Sequence, residues 1–226
     1  MKKKTAPAKK SRDSQRSREE ILRAAFIEVF GRGFQGVSID EIVEKTQLTK
    51  GAFYHHFPTK RDLGYALVEE VIAPMIVSRW INPLKLTLNP LQGILAQLRA
   101  LIGEAPPEDL RRGCPLNNLV QEMSPLDSGF KIRLQKALQL WIDGVTAELE
   151  RAKTDGFLKE NVDVKRVARF VVMAHEGFYG MLKGADDTSA FDDLYECLLA
   201  YFQTLSTVPL TNASLDKARN ADAVCF

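Results

Sequence analysis

The chain has 226 residues, 45% of them hydrophobic, enough for one large or two modest globular domains with a substantial core. Its formal net charge of +2 hides an asymmetry: residues 1–23 hold nine Lys or Arg and three acids, a net of +6, and the remainder holds 22 basic and 26 acidic groups, a net of −4. A basic tip on a mildly acidic body suits contact with a polyanion at one end. No segment approaches the roughly 18 uninterrupted apolar residues of a membrane span, and the basic N-terminus lacks the apolar run of a signal peptide.

Residues 1–15 are basic, low in complexity and expected to form a disordered arm. A helix is predicted over 17–32, where Ile21, Leu22, Ala25, Phe26, Val29 and Phe30 recur with helical period. Ser17 with Glu20 reads as its capping box, and Gly31 and Gly33 as its stop. A second helix, 39–45, opens on the Ser38–Glu41 capping box; a third, 50–56, opens on Thr49 and ends before Pro58. A weaker Thr59–Asp62 box opens a fourth helix running from Lys60 towards Trp80, which Pro74 is expected to kink or interrupt.

Beyond it come a helix over 91–103, an acidic proline-containing connector (EAPPED), and helices over 115–123, 127–154 (ended by Gly156), 164–183 and 191–207. Residues 209–226 show no period and read as a flexible tail. No convincing strand or internal repeat is present, so the fold class is all-α. A helix-turn-helix unit (16–62) precedes a larger helical domain (63–208), whose mostly short connections suit an antiparallel bundle.

The third helix has two unlike faces. Phe53 and Phe57, four apart, share one side and can form a small core with Ile39, Ile42, Val43 and Leu48. Lys50, Gly51, Tyr54 and His55 fall on the other, offering a cation, close backbone approach, a hydroxyl on a flat ring and a ring donor. The helix N-terminus adds free N–H groups and partial positive charge, suited to phosphate. Two readings remain at this point: a hairpin with a solvated polar face, or a helix that enters the major groove of DNA.

Residues 16–68 resemble the DNA-binding domain of the TetR family of bacterial transcriptional regulators. The resemblance is carried by Ala24-Ala25-Phe26, Gly33-Phe34, Ser38-Ile39-Asp40-Glu41-Ile42 and the run from Thr49 through Phe53-Tyr54-His55-His56-Phe57-Pro58 to Leu63. It implies a homodimer on a pseudo-palindromic operator in double-stranded DNA. Ser38, Lys60 and His55 or His56 would meet phosphates, and Thr49, Lys50, Gly51, Ala52 and Tyr54 would line the groove. Ala52 could lie against a thymine methyl. It also implies a large domain that dimerises through its last two helices and holds a pocket for a small-molecule inducer. The segment RGCPLNNLVQEMS, starting at Arg112, is similar to a TetR subgroup with a GC…N…E pattern, some members of which sense electrophiles through the cysteine.

Candidate ligand contacts follow from that segment and its surroundings. Cys114 stands at a helix start after Arg111 and Arg112; helix N-terminus and cations both favour a thiolate, while a small packed residue is the alternative. Asn117, Asn118 and Gln121 could supply hydrogen bonds, and Trp141, Phe178 and Tyr179 an apolar wall. His175 sits among Val171, Val172 and Phe178 as an interior residue or a ligand contact. Cys197 shares a stripe with Leu194 and Tyr201 and is expected to pack in a core or dimer interface; Cys225 lies in the tail. The broad apolar faces of the last two helices exceed one intramolecular contact and suit a two-fold interface.

The three scattered cysteines lack a C-x-x-C pair and suit reduced thiols in a cytoplasmic protein. No nucleophile elbow, phosphate loop or metal motif is present, and His55, His56 and His175 are too scattered for one, so no enzyme, cofactor or metal is expected. The function expected is a repressor released by an inducer or by modification of Cys114. A ligand-responsive activator and a protein-binding adaptor are the alternatives.

Overall fold

The computed structural model describes residues 7–104, 106–185 and 189–211. Helix α1 (Pro7–Arg32) buries Ile21, Leu22, Ala25 and Val29, and Gly33, at φ 81°, turns the chain out of it. It starts at Pro7 rather than near Ser17, so residues 7–15 of the expected arm are helical; residues 1–6 lie outside the described residues. Ser17 is therefore interior, not a cap. Its hydroxyl donates to the carbonyls of Asp13 (3.1 Å) and Ser14 (2.9 Å), a back-bond that an extended preceding chain could not offer. Glu20 instead accepts from the Gln47 N–H at 2.8 Å, across the hairpin.

Helices α2 (Ile39–Glu44) and α3 (Lys50–His56) follow, then α4, one rod over residues 60–85. The rod is α-helical at Lys60–Ala66, Ala73–Ile76 and Asn82–Lys85 and widens to π winding at Leu67–Ile72 and Val77–Ile81. Each widened stretch lies just before a proline, Pro74 or Pro83, whose ring removes an N–H donor and crowds the preceding turn. The extra residue per turn absorbs that defect, so Pro74 neither ends nor breaks the helix as expected.

The body comprises α5 (Pro90–Glu104), α6 (Pro107–Arg112), α7 (Pro115–Met123), α8 (Ser128–Thr154), α9 (Val164–Ala185) and α10 (Ala190–Leu205). The expected acidic connector contains α6, with proline in its first turn, Glu108 and Asp109 beside its N-terminal dipole, and Gly113 (φ 83°) after its end. Helix α8 is the central strut, packing on α9, α7, α5 and α4. Phe130, Leu134, Ala137, Trp141, Val145, Leu149 and Ala152 form its buried stripe. Among the described residues the one β feature is an isolated antiparallel bridge between Leu158 and Ser206.

One apolar core runs from Ile21 and Phe53 through Leu67 and Phe130 to Trp141 and Phe202, so the amino-terminal unit and the body share packing. The start of the expected tail is anchored: Leu210 is buried, and Gln92 bonds the Thr211 carbonyl (2.8 Å) and N–H (3.0 Å). Residues 212–226, including Cys225, lie outside the described residues.

Gly64 marks a tight seam between α4 and α8. A Cβ there would overlap the Phe130 ring and stand 2.6 Å from Phe34 Cε2, where those two rings meet edge to face at 4.9 Å. Gly64→Ala is expected to lower unfolding free energy by about 1–3 kcal/mol in urea denaturation through overpacking. A gain of up to about 1 kcal/mol, the helix-propensity benefit of alanine, would show instead that the rings yield freely.

Candidate nucleic-acid interface and ligand-binding core

The α2–α3 hairpin is built by its caps and two phenylalanines. Ser38 accepts from the Glu41 N–H at 3.2 Å, and the Glu41 carboxylate accepts from the Ser38 N–H at 2.6 Å. Arg32 and the Ser38 groups hold the Glu41 carboxyl down at about 2. Thr49 accepts from the Ala52 N–H at 3.2 Å. Phe53 and Phe57 are 0% and 1% exposed and sit with Ile42, while Ile39, Val43 and Leu48 pack alongside.

Burying that pair turns Lys50, Gly51, Tyr54 and His55 outward, with Tyr54 50% exposed and Ala52 half-buried. Lys50 pairs with Asp40 at 2.7 Å, both in solvent. A Cβ on Gly51 would touch nothing closer than Thr49 Oγ1 at 3.7 Å, so nothing within the chain requires glycine there. His56 turns the other way. Its Nε2 lies 2.8 Å from the Ser17 hydroxyl, and burial, with lesser help from His55 and Arg18, lowers its pKa. Arg18 covers the Phe57 ring at 4.4 Å and pairs with Glu70 of α4 at 3.0 Å, so α1, α3 and α4 are tied at one point. Lys60 is half-buried with its ammonium 4.7 Å from the Phe34 ring centre, and burial lowers its pKa.

In the body, Trp80, Trp141, His175 and Tyr179 form a contiguous aromatic cluster. Ring centres stand 5.0 Å apart for Trp80–Trp141, 4.8 Å for Trp141–His175 and 4.7 Å for His175–Tyr179. Burial raises the Tyr179 phenol to about 12. Asn117 donates to the Glu176 carbonyl (3.0 Å), tying α7 to α9. Asn118 donates to the Arg112 carbonyl (2.8 Å) and accepts from Lys183 (3.0 Å). Gln121 is exposed and reaches only the Asn117 side chain, at 3.4 Å.

One side-chain environment in the body departs from a sequence expectation. Cys114 has no depressed pKa: burial and the neighbouring Glu176 carboxylate push its thiol well above the usual range, outweighing the N–H groups of Leu116 and Asn117. Phe178 packs with Leu110 and Leu182 in a small core and meets the His175 cluster through Tyr179, whose ring centre stands 5.3 Å from its own.

Comparison with known proteins agrees with this architecture. The family described as "Bacterial regulatory proteins, tetR family" matches residues 21–67, and "Tetracyclin repressor-like, C-terminal domain" matches residues 90–198. The chain belongs to the TetR family of regulators. The transcriptional regulator AcuR of Cereibacter sphaeroides is 27% identical over 168 residues, 73% of this chain and 75% of that protein. The HTH-type transcriptional repressor AcnR of Corynebacterium diphtheriae is 25% identical over 172 residues, 76% and 83% respectively. A TetR-family regulator from Cytophaga hutchinsonii superposes with a TM-score of 0.76 at 18% identity, covering 87% of this chain and 98% of that one, which supports the fold.

Being a TetR-family protein, the chain is a transcriptional regulator with a DNA-binding helix-turn-helix, not an enzyme. Hydrogen bonds add to the packing that joins the amino-terminal stretch matched through residue 67 to the body. Glu122 of α7 accepts from the Phe34 (2.8 Å) and Gln35 (2.7 Å) N–H groups in the turn after α1. The Tyr65 hydroxyl of α4 donates to Asp127, the cap of α8, at 2.7 Å. Phe170, Met173 and Met181 of α9 are exposed, as is Cys197 of α10, which is not in the core of the single chain. Among the described residues no helix is long and apolar enough to cross a membrane. Sequence reasoning missed Trp80, Glu122 and Glu176 as site residues. The one readable signal was Glu176, the single acid of α9, beside a histidine.

Proposed function

We propose that this regulator is a cytoplasmic repressor that binds a pseudo-palindromic operator as a homodimer and is released by a small-molecule inducer. The observation that carries the reading is the outward face of α3: an exposed cation and a glycine that nothing inside the chain explains in its first turn, and a half-exposed tyrosine one turn on. Close approach to a groove supplies the missing reason for Gly51. Thr49, Lys50, Gly51, Ala52 and Tyr54 then face bases, and Ser38, His55 and Lys60 face phosphates, Lys60 after swinging off Phe34. His56 positions α3 against α1. The exposed apolar residues of α9 supply the two-fold contact, holding two recognition helices on the order of 34–36 Å apart. The repressor named among the relatives supports the sign of the effect.

Inducer recognition is assigned to the body beside Asn117, Asn118, Trp141, His175 and Tyr179, with Gln121 at its rim and Cys114 as a wall residue. A protonated, enclosed thiol favours release by ligand binding over reaction of a thiolate. The inducer acts through its differential affinity for the DNA-bound and released arrangements.

Selection of bound duplexes from a random pool, followed by a salt titration, tests this reading. A symmetric site and a steep fall of affinity with salt are expected. Lys60→Ala, which removes a phosphate contact, is expected to flatten the log–log slope by about one. Salt-insensitive binding, or enrichment of no symmetric site, would leave the adaptor alternative standing.

A further inference from the structure

We propose that Cys114, His175 and Glu176 form a binding site for a divalent transition metal ion of zinc-like softness. A sulfur, a ring nitrogen and a carboxylate oxygen, one from each residue, all lie within 4.8 Å of one another. They come from two elements: the residue preceding α7 and the middle of α9. His175 Nδ1 stands 3.1 Å from Glu176 Oε1. The second carboxylate oxygen, Glu176 Oε2, is buried with no hydrogen-bond partner. Burying a carboxylate oxygen in that condition is costly, and a cation beside it removes the cost.

The donor set selects the ion's class. Thiolate, imidazole and carboxylate together suit zinc and its borderline neighbours rather than magnesium or calcium, which require mostly oxygen. Tetrahedral bonds of about 2.0–2.3 Å put donors about 3.3–3.8 Å apart, so side-chain rotations that draw the donors in by about 1 Å complete the site. Three protein ligands leave a fourth position for water or a small anionic ligand. On binding, the Cys114 thiol proton leaves to solvent and its sulfur electron pair goes to the metal. The Asn117 bond to the Glu176 carbonyl holds the two ligand-bearing helices together without occupying a donor.

This inference does not depend on operator binding, because it is read on the protein without DNA. The chelator-treated full chain is titrated with Co²⁺ as the spectroscopic probe. One Co²⁺ per chain is expected, with a near-ultraviolet thiolate-to-metal band, visible bands of tetrahedral intensity, and displacement by equimolar Zn²⁺. Cys114→Ser is expected to abolish the near-ultraviolet band, and Cys197→Ser to retain it. Glu176→Gln and His175→Gln, with helical content checked by circular dichroism, are each expected to weaken Co²⁺ by about tenfold or more. No stoichiometric uptake, or a thiolate band that survives Cys114→Ser, overturns the proposal. Should Cys114→Ser fail to fold, unchanged Co²⁺ affinity in both the Glu176 and His175 variants overturns it equally.

Discussion

Phe53→Ala is expected to destroy operator binding by melting the helix-turn-helix, whereas Tyr54→Ala, one residue along, is expected to weaken it with the fold intact. Phe53 has no exposed surface, and its ring meets Tyr54 at 5.4 Å and Phe57 at 5.8 Å. Truncating such a ring removes its transfer free energy and leaves a cavity, about 3–5 kcal/mol together. That is a large share of the roughly 5–15 kcal/mol separating folded from unfolded domains. α2 and α3 have 6 and 7 residues, too short to persist without that packing. Tyr54, half exposed, contributes little to this core, so its truncation is expected to change stability by about 0.5 kcal/mol or less. Its loss in operator affinity is expected to be about 1–3 kcal/mol, the range of a good base contact. Urea denaturation and fluorescence anisotropy on a labelled operator separate the two. A Phe53→Ala protein with an unchanged midpoint would contradict the burial on which the orientation of α3 rests, and a Tyr54→Ala protein with full affinity would remove the docking face.

The contrast between these neighbours was legible in the sequence because it depends on local rules. Phe53 and Phe57 are one turn apart, and the caps at Ser38 and Thr49 need only the next three residues. Ser17 and Glu20 obey the same capping pattern yet cap nothing, because α1 extends upstream and Glu20 finds the Gln47 N–H 27 positions away. Pro74 read as a kink or interruption because local sterics disfavour an ordinary helix there, and π winding in a rod packed against α8 accommodates it. Cys114 misled for a related reason. Two arginines and a helix start are visible in one dimension, while the burial of the thiol and then Glu176, 62 positions on, raise its pKa. Helix α6 was a different kind of miss, since its proline, acids and terminal glycine were in plain view. The metal-ligating candidates came together only through the α7–α9 contact, which no spacing rule anticipates.

Glu122→Ala is expected to weaken the link between ligand binding and DNA release more than it weakens DNA binding itself. Helix α7 begins beside Cys114 and Asn117 and carries Glu122 in its last turn. That carboxylate holds two N–H groups in the turn after α1, and a Cβ added to Gly33 would stand 3.2 Å from both of its oxygens. Any shift of α7 is thus transmitted to the turn between α1 and the α2–α3 hairpin. Hydrogen bonds to a charged acceptor contribute about 1.5–3 kcal/mol each, so the contact is strong enough to carry a coupling of about 1–3 kcal/mol, or 5–150-fold in affinity. The alanine variant is expected to keep most of its inducer-free operator affinity, because the α3 face and its phenylalanine core are untouched. The ratio of operator affinities without and with inducer is expected to fall several-fold towards one. Glu122→Gln, which keeps one acceptor oxygen, is expected to lie between. A full inducer ratio in the alanine variant would move the coupling to the other joint, Tyr65 on Asp127, where α4 meets the start of α8.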